Sequence, residues 1–288
     1  MGAVARLKNW MARATGGHRW EQSLISDSWF EGHFKYAADE IRNSLSAHLD
    51  LSQAKLLDFG CGDGITALGV ALKSECPRLT GIDITRAFKD LPTLAQSQLG
   101  LSQVPPSLDF LQVEAGKPLP IDTLDGIYSW SVFEHIDRPH LPAIVADLFR
   151  VLRPGGVAFI QIEPLYYSAF GSHLQRLIPE PWAHLKLPDE ALERRVLGFE
   201  GELREEDRDL AAADGVTPAF KQWLMREYRT LNHLTANELI ELFSEAGFEI
   251  IEAHRGQRPE TPPDELLAQY DADLLTTNEV RLVARKSA

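Results

Sequence analysis

"LLDFGCGDGITALG", residues Leu56 to Gly69, decides how this chain is read. An apolar run closes on three alternating glycines, Gly60, Gly62 and Gly64, and a helical pattern begins behind them. A strand that ends in a glycine-rich turn and opens a helix leaves backbone N–H groups free for a ligand. Glycines there admit left-handed backbone and close approach. The spacing excludes two common occupants. A dinucleotide fingerprint asks for glycine at position 65, where the chain has Ile65, and no Gly-Lys-Ser/Thr ending follows to cradle a triphosphate. The carboxylates of Asp58 and Asp63 would repel a pyrophosphate and suit a ligand that carries positive charge and hydroxyls.

Downstream the pattern alternates. "RLTGIDI" (78–84), "SLDFLQV" (107–113) and "LDGIYSW" (124–130) read as strands, and "HLPAIVADLFRVL" (140–152) as a helix with Leu141, Ile144, Val145, Leu148 and Leu152 on one face. "RPGG" at 153–156 is expected to stop that helix before a fifth strand, "VAFIQIE". Continuous apolar strands between amphipathic helices predict an α/β fold with a mostly parallel sheet covered on both faces. The alternation breaks over 163–234, which holds prolines, aromatics and an acidic stretch. It resumes at "TANELIELFSEAGFEIIEAH", where Thr235 and Glu238 form a capping-box signature and Gly247 ends the helix. Residues 1–49 are expected as a helical N-terminal lead, with "YAADEIRNSLSAHL" its clearest helix. Residues 50–288 form the main domain, and 163–234 is inserted as a lid over the substrate.

Composition narrows the partners. The chain has 288 residues and a formal charge of −13, which argues against a large nucleic-acid footprint. Two cysteines, Cys61 and Cys76, support neither a disulfide framework nor a zinc cluster, so no metal is expected and a reducing cytoplasm is the simplest compartment. No apolar run is long enough for a membrane span. The basic N-terminal "MGAVARLKNWMARATGGHRW" lacks the apolar core of a secretory signal and reads as a capping segment or a weak membrane-surface contact. The acidic stretch 199–214 reads as a solvated helix face that would repel RNA.

Asp83, at the carboxyl end of "GIDIT", is placed to accept hydrogen bonds from a ribose, and Glu114 in "VEAGKPLP" to meet an adenine edge. These motifs, with "LLDFGCGDG", "LDGIYSWSVFEHI" and "LFRVLRPGGVAFIQI", resemble in order and spacing the class I S-adenosylmethionine-dependent methyltransferases. The resemblance covers 55–162 and resumes at 235–285. It implies a Rossmann-like seven-stranded sheet with an antiparallel last strand and S-adenosylmethionine as cofactor. It also implies roles. Gly60, Cys61 and Gly62 would line the methionine and ribose portion, with Asp58 near the amino group. Asp83 would hold the ribose hydroxyls, Ile84 and Ala115 would flank adenine, and Glu114 stands where the family often has Asp. Ser129 and Trp130 would border the methionine end. Plainer readings stay open: Asp58 as a turn cap, Cys61 as a small loop residue, Trp130 as core.

The resemblance leaves the methyl acceptor open. His135 in "FEHI" is the first candidate base, with Glu134 beside it either tuning it or facing solvent. His173 and His184 in the insertion are its rivals, and Tyr166, Tyr167 and Trp182 fit a lid over an apolar or sugar-like acceptor. The plainer reading makes these aromatics the insertion's own small core. The expected activity is methylation of a small molecule, foremost at oxygen, in the biosynthesis of a secondary metabolite, lipid or glycan precursor. Alternatives are methylation of nitrogen, carbon or RNA, or cofactor binding without methyl transfer. Oligomeric state has no signature in the sequence.

Overall fold

The computed structural model describes residues 24–204, 207 and 215–287. The basic N-terminal segment and most of the acidic stretch lie outside them. Seven strands form one sheet: β1 Lys55–Phe59, β2 Arg78–Asp83, β3 Leu108–Gln112, β4 Leu124–Trp130, β5 Leu152–Ile162, β6 Phe248–Gln257 and β7 Thr277–Lys286. Their order is β3-β2-β1-β4-β5-β7-β6. The pairs β1–β2, β1–β4, β2–β3 and β4–β5 are parallel. The last strand, β7, runs antiparallel to both of its neighbours. The longer helices are α1 Ala38–Ser46, α2 Ile65–Ser74, α3 Leu91–Leu99, α4 Leu141–Val151, α5 Asp189–Leu197, α6 Pro218–Thr230 and α7 Ala236–Glu245.

Strand alternation builds a core on each face of the sheet. Leu56, Tyr128 and Phe159 join the N-terminal helices, α2 and α3 in one layer, whereas Leu57, Ile127 and Ile160 join α4 and α7 in the other. Each such side chain, fully buried, contributes about 1.5–3 kcal/mol relative to exposure. Asp58 follows Leu56 and Leu57 and stands opposite Tyr128 in register, so it faces the N-terminal layer. The expected Thr235–Glu238 capping box is formed in both directions.

Three features depart from the sequence expectation or sharpen it. "RPGG" ends α4, but the chain is already extended there: β5 begins at Leu152, and the register between β4 and β5 shifts around Asp125. The N-terminal lead is part of the main core. Phe30, Phe34, Ile41 and Leu45 are fully buried, and a π-helical turn, Gly32–Ala37, precedes α1. That turn sits on α2 because Gly69 has no side chain: a Cβ there would lie 2.7 Å from the Phe34 carbonyl oxygen. Finally, the insertion has a core of its own, in which Leu174, Leu192, Val196, Phe220 and Leu224 pack α5 against α6.

Candidate functional site

Parallel sheets bind ligands beyond the carboxyl ends of their strands, where the strand order reverses. Here that point lies between β1 and β4, and the sequence-predicted residues converge on it. Gly60 and Cys61 both donate N–H to the Ile82 carbonyl at 2.9 Å, which folds the loop onto the end of β2. Gly60 has φ +80° and Gly62 φ +52°, in the left-handed region. A Cβ at Gly60 would meet Val132 Cγ2 at 2.5 Å, while one at Gly62 would meet nothing within 4 Å. Gly60 is therefore a packing glycine. Gly62 leaves an open cradle.

The carboxylates have separate tasks. Asp83 accepts from Gly62 N–H at 3.0 Å through one oxygen, and from Thr85 N–H at 2.7 Å and Thr85 Oγ1 at 2.8 Å through the other. It braces the loop and keeps lone pairs for a ligand. Asp63 accepts from Ile65 N–H at 3.0 Å and from the indole of Trp29 at 2.8 Å, so it ties the N-terminal layer to the loop. Asp58 is 2% exposed, and its Oδ2 has no hydrogen-bond partner. Burial pushes its carboxyl up to about 8; the Tyr128 phenol beside it pulls the other way without reaching hydrogen-bond geometry, and Asp83 and Asp63 add to the rise. A buried carboxylate without a partner is a socket for a cation. Cys61 is buried and its thiol is held well above the ordinary range, so it is inert packing.

The expected adenine side is open to solvent. Ile84 is 60% exposed, and Glu114 and Ala115 lie in the exposed turn that follows β3. Ser129 is different: it is fully buried, and its hydroxyl donates to the Phe59 carbonyl at 2.9 Å, so its side chain is committed to the sheet. Trp130 is half-buried and meets Tyr36 edge-on, with ring centroids 5.9 Å apart. Tyr36, from the π-helical turn, is 51% exposed, and its hydroxyl accepts from Arg281 at 2.6 Å. Arg281 donates to Glu279 at 2.8 Å, and Glu279 accepts from Gln161 at 3.0 Å. Sequence reasoning missed Trp29 and Tyr36; the only local signal was aromatic residues ahead of a helix.

On the acceptor side, the turn after β4 meets the insertion. His135 Nδ1 lies 2.7 Å from Thr230 Oγ1 at the end of α6. Its ring stands 5.3 Å from that of His173, at 88°. Burial lowers His135 to about 4 and His173 to about 3, so both rings are neutral at physiological pH. Glu134, expected to tune His135 or face solvent, is 2% exposed with neither oxygen bonded, and burial raises it to about 8. Its own backbone amide is near enough to favour the charge slightly, but is not in hydrogen-bond geometry.

Two other predicted residues have packing roles. His184 is 6% exposed, its Nε2 lies 2.6 Å from the Tyr166 carbonyl, and burial lowers it to about 4. Trp182 is 2% exposed, donates its indole N–H to the Tyr167 carbonyl at 3.1 Å, and packs on Leu266 and Leu275. Both fix the loop that carries Tyr166 and Tyr167. Those tyrosines are half-buried: Tyr166 stacks on His233 at 3.6 Å, and Tyr167 leans on Tyr270 at 5.7 Å. His233 has φ +60° and gave no signal in the sequence.

The sequence profile of a methyltransferase domain matches residues 30–253. The trans-aconitate 2-methyltransferase of Azoarcus sp. (strain BH72) is 27% identical over 154 residues, 52% of this chain and 56% of that protein. A ubiquinone biosynthesis O-methyltransferase of Xanthomonas oryzae pv. oryzae (strain PXO99A) is 27% identical over 150 residues, 49% of this chain and 59% of that protein. The match thus spans little more than half the length of these curated relatives. Among solved structures, an S-adenosylmethionine-dependent methyltransferase from Mesorhizobium loti superposes with TM-score 0.50 at 15% identity, covering 89% of this chain and 99% of the other. The [4+2]-cyclase SpnF superposes with TM-score 0.51 at 19% identity, covering 94% and 87%. The glycine cradle at Gly62 and the unpartnered Asp58 oxygen fit the nucleoside and ammonium groups of the family's cofactor. With the profile covering most of the chain and the sheet order matching its motifs, this protein belongs to the class I S-adenosylmethionine-dependent methyltransferases.

Proposed function

We propose that the protein transfers a methyl group from S-adenosylmethionine to the oxygen of a small-molecule acceptor. The observation that carries this reading is the loop end: a buried Asp58 oxygen without a partner on the strand that leads into the glycine loop, where Gly62 leaves open space in left-handed backbone. When bound, S-adenosylmethionine supplies an electrophilic methyl on a positively charged sulfur. Asp58 would take its ammonium group, Asp83 its ribose hydroxyls, and Ile84 one face of its adenine. Trp130 and Tyr36, in edge contact with each other, would together border the methionine end.

The acceptor side of the reading rests on His135. With Nδ1 beside Thr230, its Nε2 is the nitrogen left to receive an acceptor hydroxyl. Tyr166 and Tyr167 present aromatic faces from the insertion, which suits a ring-bearing or apolar acceptor. His135 Nε2 would hold the acceptor hydroxyl and take its proton as the oxygen is methylated, the electron pair of the cofactor's C–S bond staying on sulfur. The chain's contribution is alignment: holding acceptor and methyl in line is worth up to about 7–11 kcal/mol. The names of the Azoarcus and Xanthomonas relatives, both methyltransferases and one an O-methyltransferase, support this choice. The net charge of −13 weighs against RNA.

Because a cyclase shares the fold, binding and transfer are tested separately. Calorimetry with S-adenosylmethionine and with a nicotinamide dinucleotide should give heat only with the former. Incubation with methyl-labelled cofactor and pooled hydroxylated metabolites should label a small molecule. Cofactor binding with no labelled product in any pool would favour a role without methyl transfer.

A further inference from the structure

The turn after β4 buries a carboxyl group that no described residue answers. Glu134 is 2% exposed, and both of its oxygens lack a hydrogen-bond partner. A buried polar group left unpaired destabilises the fold, and a buried unpaired charge does so more strongly. Such a group calls for a cation or a donor. Two ligands of another kind stand beside it. One nitrogen of His135, one of His173 and one Glu134 oxygen all lie within 4.8 Å of one another.

The ring geometry carries the argument further. The two imidazole centroids are 5.3 Å apart. Two imidazoles bound to one tetrahedral ion at about 2.0–2.1 Å would place their centroids roughly 5.2 Å apart. Edge-to-face attraction would account for the histidine pair alone. It leaves both Glu134 oxygens unanswered. We infer that Glu134, His135 and His173 bind one divalent transition cation of the zinc class at the seam between the turn after β4 and the insertion.

The donor set selects the ion: imidazole favours zinc, iron, nickel and copper, whereas magnesium and calcium prefer all-oxygen sites. Two histidines and one carboxylate leave further positions for water or substrate. Tetrahedral ligands at these bond lengths stand about 3.4 Å apart, so the set has little more than an ångström to close. The surroundings are those of a supported site. Thr230 Oγ1 lies 2.7 Å from His135 Nδ1, and the Pro164 carbonyl 3.4 Å from His173 Nε2, which leaves the opposite nitrogen of each ring for the ion. Asn232 fixes the turn, donating N–H to the Glu134 carbonyl at 2.8 Å and its amide to the Phe133 and Ile136 carbonyls at 2.7 and 2.6 Å. The inference reverses the expectation of a metal-free protein. It rests on the methyl-transfer reading only for its role: the acceptor hydroxyl would then meet His135 through the ion, not directly.

The full chain, freed of any affinity tag and treated with chelator, is titrated with Zn²⁺ by calorimetry and with Co²⁺ by visible absorption. One ion per chain and the visible bands of four- or five-coordinate Co²⁺ are expected. Glu134→Gln and His173→Asn keep the side-chain shapes and should each weaken Zn²⁺ at least 100-fold. Zn²⁺ should raise the melting temperature of the wild type and of neither variant. No uptake, equal affinity in wild type and both variants, or displacement of Co²⁺ by equimolar Mg²⁺ overturns the site. S-adenosylmethionine binding is read on the same samples and also reports that the variants fold. Cofactor binding without zinc uptake sinks this inference alone; zinc uptake without cofactor binding sinks the methyl-transfer reading and leaves the site standing.

Discussion

Asp83 is already shared before any nucleoside arrives: three donors from Gly62 and Thr85 hold its two oxygens. Its removal therefore unties the glycine loop as well as the ribose. Two charge-assisted bonds at about 1.5 kcal/mol each amount to roughly 100-fold in affinity. Calorimetry should show Asp83→Ala weakening S-adenosylmethionine by at least that factor, with Asp83→Asn, which keeps the size and one acceptor, losing less. Equal affinity in wild type and Asp83→Ala would remove the ribose assignment. His135 makes the opposite forecast. Its ring meets Thr230 and His173 on the acceptor side, so His135→Ala should cut turnover at least 100-fold while cofactor affinity moves less than threefold. Full turnover in that variant would take the acceptor away from this histidine.

At the scale of elements, what the sequence revealed and what it hid divide by distance along the chain. The strand–loop–helix unit from Leu56 to Gly69, the Asp83 strand end and the Thr235 capping box are local, since each is determined by residues within one turn or one pleat. The seam between Glu134 and His173 and the contact of Tyr36 with Trp130 join distant segments, and no spacing rule reaches them. His184 and Trp182 show the converse difficulty: an aromatic or histidine in a polar loop looks chemical until burial shows its bonds spent on backbone carbonyls. The N-terminal π-helical turn makes its own forecast. An aromatic pair is worth about 0.5–1.5 kcal/mol beyond its area, so Tyr36→Ala should cost threefold to tenfold in cofactor affinity by calorimetry. Gly60→Ala tests the loop itself. Its Cβ would collide with Val132 in left-handed backbone, a strain of about 1–3 kcal/mol, and thermal unfolding should show a fall of about 2–4 °C per kcal/mol.

Across the whole molecule, Asp58 couples the ligand site to stability. Burial holds its carboxyl at about 8 in the folded protein, against about 3.8 for a solvated aspartate. Because the folded value is the higher, the native state binds more protons than the unfolded state between those limits. Its contribution is fully present below about pH 4 and is lost as pH rises towards 8. The cofactor's ammonium reverses the balance by giving the ionised carboxylate a partner. Two measurements follow from the same residue. Without cofactor, melting temperature should decline from pH 5 to pH 8, and Asp58→Asn, which never ionises, should decline less over that span. Affinity for S-adenosylmethionine should instead rise over pH 6 to 8 in the wild type and stay flat in Asp58→Asn. Parallel stability curves for the two proteins would mean that Asp58 is ionised and satisfied in the folded chain, and its assignment to the ammonium group would fall with that result.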